Sequence, residues 1–134
     1  MTERQILSVK KSWKIISKIN AEIVGDVFYS KLFIDSPELK SLFKTTREEQ
    51  SRKLIMMLNT IVTSLDRLGE LKKDIEQLAI RHKKYGALPE HYIKVGDALL
   101  WTIENALGTD FDDETNEAWK ACYSEIENAM LAAY

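Results

Sequence analysis

The stretch Leu78-Ala79-Ile80-Arg81-His82-Lys83-Lys84-Tyr85-Gly86-Ala87-Leu88-Pro89-Glu90-His91-Tyr92 decides how the rest of the chain is read. His82 falls in line with Leu71, Ile75, Leu78 and Tyr85, at spacings of four, three, four and three, which trace one face of an α-helix. The pattern predicts an imidazole pointing where a core side chain points. Arg81, Lys83 and Lys84 lie on the other faces, Gly86 offers a left-handed helix stop, and Pro89 stands where a new helix can begin. A lone histidine on an apolar face also fits a buried residue bonded to backbone, so its meaning depends on its surroundings.

Working outward, the neighbouring segments read as helices too. Thr2 with Gln5 forms a capping-box pattern, followed by Ile6, Val9, Trp13 and Ile16 on one side. A second helix turns Val24, Val27, Phe28 and Leu32 inward, with Gly25 and Tyr29 on the adjacent stripe. Glycine inside a helix costs about 1 kcal/mol relative to alanine, so Gly25 points to a close helix crossing. Ser36-Pro37-Glu38 reads as cap, first-turn proline and N-terminal acid of a short helix running to Leu42 and Phe43. Thr46 with Glu49 suggests another capping box, opening a helix whose inner face is Gln50, Leu54, Met57 or Leu58, Ile61 and Leu65, closed by Gly69. After Pro89 the inner face is Tyr92, Val95, Leu99, Ile103 and Ala106, ending at Gly108. Thr109 or Asp110 is the expected cap of the last helix, which buries Trp119, Cys122 or Tyr123, Ile126, Met130 and Ala133. No strand pattern or hairpin dipeptide intervenes. The expectation is an all-α chain of six substantial helices and one short one, a single domain over 1–134.

Composition excludes several classes. The 134 residues are 45% hydrophobic and 30% charged, the balance of a globular domain with a full core. A net charge of −2 gives nucleic acid no overall attraction. Cys122 is alone, which rules out an intrachain disulfide and suits a reducing, cytoplasmic setting. No apolar leader opens the chain, and the longest uncharged run, Leu54 to Leu65, is too short to span a bilayer.

The ordered set Gly25, Tyr29, Pro37, Phe43, Gln50, Leu54, Leu78 and His82 resembles the globin family across essentially the whole chain. Phe28-Tyr29, the run Ser36 to Phe43, and Pro89 to Gly96 are similar to the haem domain of bacterial flavohaemoglobins. Gln50-Ser51-Arg52-Lys53-Leu54 and Arg81 to Gly86 look like the single-domain bacterial globins of that lineage, the Hell's Gate globin type. The resemblance implies a globin fold around haem b (iron protoporphyrin IX), with His82 as the metal ligand and the Leu78 carbonyl fixing its tautomer. It further implies that Phe43, Tyr92 and Val95 line the cofactor, Leu54 fills the apolar distal floor, and Arg81 meets a propionate. Gly25 and Ser51 become the small pair at a helix crossing. Tyr29 and Gln50 become the distal donors, two neutral groups that favour the partial negative charge of bound dioxygen over carbon monoxide.

The implied function is reversible binding of dioxygen, nitric oxide and carbon monoxide by a monomer, with nitric oxide dioxygenation if an external reductase supplies electrons. Two departures from the flavohaemoglobin pattern bear on this. The sequence ends at Tyr134, so a built-in flavin domain is not expected. The lineage also pairs a proximal tyrosine, matched by Tyr92, with a glutamate whose position here falls on Tyr134, so a weaker electron push on His82 is expected. The other readings are a gas or redox sensor, a haemless helical regulatory module, and an electron carrier with two axial ligands. The last lacks a distal histidine.

Overall fold

A computed structural model describes all 134 residues, and its regular structure is helical throughout. Six α-helices follow one another: α1 (Glu3–Ile16), α2 (Ala21–Asp35), α3 (Arg47–Thr63), α4 (Lys72–Lys84), α5 (His91–Leu107) and α6 (Asp113–Ala132). Three 3-10 segments join them, at Pro37–Leu42, Leu65–Leu71 and Gly108–Asp110. The short helix expected after Pro37 is the first of these. α2 crosses α3 and also packs on α5, while α1 and α4 both pack on α6.

Local chemistry explains most of the boundaries. Thr2 Oγ1 accepts from Gln5 N at 3.1 Å and Gln5 returns an acceptor to Thr2 N at 2.9 Å, a complete capping box. At α3 only half of the expected box forms, because Thr46 accepts from Glu49 N while the Glu49 carboxylate turns to Lys53. Ser36 does not cap with its side chain; its backbone carbonyl receives Leu39 N, and Pro37 takes the first-turn position.

Two boundaries differ from the sequence expectation. α3 does not run to Gly69 but stops at Thr63, after the β-branched run Ile61-Val62-Thr63, and tightens into the 3-10 segment with a break at Arg67. Gly69 has open space around it and needs no positive φ. The cap of α6 is Asp112, whose Oδ1 accepts from Thr115 N at 2.8 Å, because Thr109 and Asp110 are already taken up in the last 3-10 turn.

The core is continuous between the helices. Trp13 and Trp119 lie with ring centroids 6.1 Å apart, and Trp119 Nε1 donates to the buried Ser12 hydroxyl at 2.8 Å, which ties α6 to α1. Trp13 Nε1 donates to Asn59 on α3 at 3.1 Å. The crossing of α2 over α3 is the tightest contact. A Cβ placed on Gly25 would stand 2.2 Å from Ser51 Cβ, and Ser51 itself is fully buried. Gly25→Ala should therefore destabilise the fold by about 2 kcal/mol, as overpacking does, with a lowered urea midpoint. Combining it with Ser51→Gly should recover much of the loss, and an unperturbed Gly25→Ala midpoint would show that the crossing is loose.

Candidate functional site

The helix carrying His82 is built to end just beyond it. Ala87 N donates to the His82 carbonyl at 2.9 Å and Gly86 N to the Lys83 carbonyl at 3.1 Å, with Gly86 at φ +97°, the two bonds of a Schellman turn. The chain leaves the helix one residue past Lys84, so Tyr85, expected on the inner face, is 61% exposed. Ile75 and Ala79 are buried, and Leu78 and His82 are half-buried.

His82 Nδ1 donates to the Leu78 carbonyl at 2.8 Å. That bond fixes the tautomer and leaves Nε2 as a bare acceptor with no hydrogen-bond partner in the protein. Burial pushes the His82 pKa below its ordinary value; the Leu78 carbonyl works the other way, and the Arg81 charge adds to the depression. The imidazole is neutral at neutral pH, the form that ligates metals.

α2 and Phe43, the residue that closes the first 3-10 segment, bring four aromatic rings together. Tyr29 lies 4.9 Å from Phe28, 5.9 Å from Phe33 and 5.3 Å from Phe43, centroid to centroid. The Gly25 crossing draws Tyr29 to the start of α3, where its hydroxyl donates to the Gln50 backbone carbonyl at 3.4 Å. The Gln50 side chain is half-buried and its amide donates to Thr45 Oγ1 at 2.6 Å. Burial raises the Tyr29 pKa to about 12, against a smaller opposite effect of Arg47, which pairs with Asp26. Leu54 lines a small apolar cavity with Trp13, Phe28, Leu58 and Ile103.

Sequence reasoning missed several parts of the His82 side. Gly96 sits under the Tyr123 ring, where a Cβ would meet Cε2 at 2.6 Å, and the Tyr123 hydroxyl donates to the Tyr92 carbonyl. Tyr134 donates to the Ala87 carbonyl at 2.8 Å, while Lys83 Nζ sits 4.9 Å above its ring and donates to its backbone carbonyl at 2.9 Å. A glycine inside the α5 pattern was the available signal for the first contact; nothing local signals the second. Phe33, one turn beyond Tyr29, was legible by spacing. Arg81 is exposed and pairs with no carboxylate, and Val95 is half-buried.

Three features together favour a flat apolar guest. Leu42, Phe43, Leu54, Leu78 and Val95 all pack on the core yet keep exposed surface. The Tyr92 hydroxyl is buried without a partner. No cluster of three or more His, Cys, Asp or Glu side chains occurs, so a metal held by His82 has to bring its other ligands with it, as a metallated macrocycle does. These residues fit haem.

The wholly helical fold presents one neutral histidine and an apolar rim. The globin family profile matches residues 26–130, and the chain belongs to the globin family of haem-type gas-binding proteins. A bacterial globin from Campylobacter jejuni is 30% identical, with a TM-score of 0.86 over 98% of this chain and 95% of that one. The chain is 27% identical to a flavohaemoprotein of Bacillus subtilis over 98% of its own length, and spans 34% of that relative. An engineered carbene transferase from Rhodothermus marinus, provisionally described as a nitric oxide dioxygenase, is 26% identical with a TM-score of 0.83, covering 96% of this chain and 89% of that one. Together these make it a globin of the flavohaemoglobin lineage. No helix is long and apolar enough to cross a membrane.

The Tyr29 environment sets an alkaline limit. In the unfolded chain a phenol ionises near pH 10, whereas folded Tyr29 holds its proton to about 12, so stability is lost as pH rises from about 10 towards 12. Tyr29→Phe should lessen that decline by about 1 kcal/mol at pH 11, read from urea unfolding at pH 9 and pH 11. Parallel declines in both proteins would mean that Tyr29 ionises as if in water.

Proposed function

We propose that this globin holds haem b through His82 Nε2 and binds dioxygen, nitric oxide and carbon monoxide on the side faced by Tyr29 and Gln50. The reading is carried by the bond from His82 Nδ1 to the Leu78 carbonyl, which orients the ring and leaves one basic nitrogen free. Haem, when bound, supplies reversible ligation of diatomic gases and a one-electron couple. Leu42, Phe43, Leu54, Leu78 and Val95 supply the apolar contact, Tyr92 lies on the His82 side, and exposed Arg81 is available to a propionate.

Tyr29 acts as a proton-retaining donor. Its hydroxyl has only a long bond to the Gln50 carbonyl to give up when it turns to a ligand. Gln50 spends one of its two amide hydrogens on Thr45 Oγ1, and that shorter bond restricts where the second can point, so the two donors are unequal, with Tyr29 the readier. His91 Nδ1 accepts from Leu88 N at 3.0 Å at the start of α5, which engages the other histidine where it stands. His82 would then be the one imidazole offered to iron, which would leave the opposite side open to a gas. In the nitric oxide reaction, one nitric oxide, one dioxygen and one electron give nitrate, and a reductase acting on this globin supplies the electron.

Absorption spectra under argon, air and carbon monoxide test the assignment. His82→Ala should lose haem on gel filtration and regain it with added imidazole; an unchanged ferrous spectrum in the variant would reject His82 as ligand. Tyr29→Phe and Gln50→Leu should each speed dioxygen dissociation in stopped flow, the tyrosine change more, and the double variant by less than the product of the two. Identical rates in all four proteins would take both side chains away from the ligand.

A further inference from the structure

The turn that ends the His82 helix carries a charge opposite to that of the whole molecule. Arg81, Lys83, Lys84 and Lys94 stand there with Glu90, and the 3-10 segment before α3 with the connection that follows it adds Lys40, Lys44 and Glu38. The structure joins the two segments. Leu42 reaches the Gly86 turn, where a Cβ on the glycine would lie 3.2 Å from Leu42 Cδ2, and Lys94 bonds Glu38 across to α5. Six cations thus face two carboxylates in a chain whose net charge is −2. Lys40, Lys44, Arg81 and Lys84 form no ion pair. Within this collar Tyr85 is 61% exposed, Leu88 44% and Ile93 64%. Apolar side chains ringed by unpaired charge of one sign are the anatomy of a docking patch with a charged rim.

We infer that this collar is the docking face for an acidic flavoprotein that delivers electrons to the globin. The inference rests on the haem assignment above, since it is the position of the collar beside His82 that gives docking there a purpose. The two carboxylates of haem leave the rim positive. The transfer is one electron: the reduced flavin of the partner loses it, ferric iron gains it, and no bond forms or breaks. Unpaired lysines at the rim steer an acidic partner and set its association rate, while Tyr85, Leu88 and Ile93 supply the dry contact once it arrives.

Reduced flavodoxin, a small acidic flavoprotein, serves as the probe, used on globin whose haem content and spectrum are first established; loss of haem would void the assignment of the site and is read separately. The triple variant Lys40→Glu/Lys44→Glu/Lys84→Glu is compared with Lys11→Glu/Lys14→Glu/Lys18→Glu on α1 and the turn that follows it, which has the same net charge but lies on the segment whose helix packs against α6. At low ionic strength the collar variant should be reduced roughly tenfold more slowly, with a flattened salt dependence, and the α1 variant much less so. Both should keep the wild-type dithionite rate and melting midpoint. Oxidised flavodoxin should shift the amides of Lys40–Lys44 and Arg81–Lys94 in the reduced, carbon monoxide-saturated protein. Equal slowing in both variants, or shifts confined elsewhere, would overturn the inference. So would binding of wild type to phosphatidylserine vesicles at 0.15 M salt that is lost in the collar variant, which would make the collar a lipid-surface site.

Discussion

The hydrogen bond from His82 Nδ1 to the Leu78 carbonyl is the constraint on which the site depends. A buried imidazole could satisfy either nitrogen, and only this bond makes Nε2 the free one. The carbonyl is available because Leu78 sits one turn earlier in the same helix and the ring reaches back along it. The Schellman turn then stops the helix at once, so the last full turn of α4 is held at both ends while its outer face opens to solvent. Desolvation keeps the ring neutral, and the carbonyl prevents desolvation from being its only influence.

The opposite wall rests on a steric fact instead. With no Cβ on Gly25 and only a hydroxymethyl on Ser51, α2 approaches α3 closely enough for Tyr29 to reach Gln50. A larger pair would push the helices apart and carry Tyr29 away with them. The cost is a buried Ser51 hydroxyl with no partner, a destabilising choice that close packing outweighs.

The helical face around His82, the close approach at Gly25 and the inner stripe of α2 are legible in the sequence because each rests on spacing or on residue size, whereas Ser51 as the partner of Gly25 follows only from the globin resemblance. The capping of α6 is not legible, since Thr109, Asp110 and Asp112 are all competent caps and tertiary packing selects among them. For the end of α3, Gly69 is a stronger sequence signal than a run of β-branched residues, although here the run decides. Tyr85 was placed inside by its spacing, but spacing holds only while the helix lasts, and Gly86 ends it. Contacts such as Tyr134 to Ala87 join residues 47 apart in the chain and leave no local trace.

That last contact bears on how strongly His82 can be polarised. The resemblance to flavohaemoglobins implies a glutamate where this chain has Tyr134, and under the proposed ligation a carboxylate near the His82 ring would draw its proton and enrich the electron density of the nitrogen offered to iron. Tyr134 spends its hydroxyl on the Ala87 carbonyl and offers its ring to Lys83, so it braces the turn without facing His82 as an acceptor. The Tyr92 hydroxyl, buried without a partner, has no carboxylate to orient it. The proton on His82 Nδ1 is therefore shared only with an amide carbonyl, a neutral acceptor, and the ring keeps the character of imidazole rather than imidazolate. Under the proposed ligation, a ring of that kind would suit reversible binding of a gas better than cleavage of an oxygen–oxygen bond, which draws on electron density pushed from the proximal side.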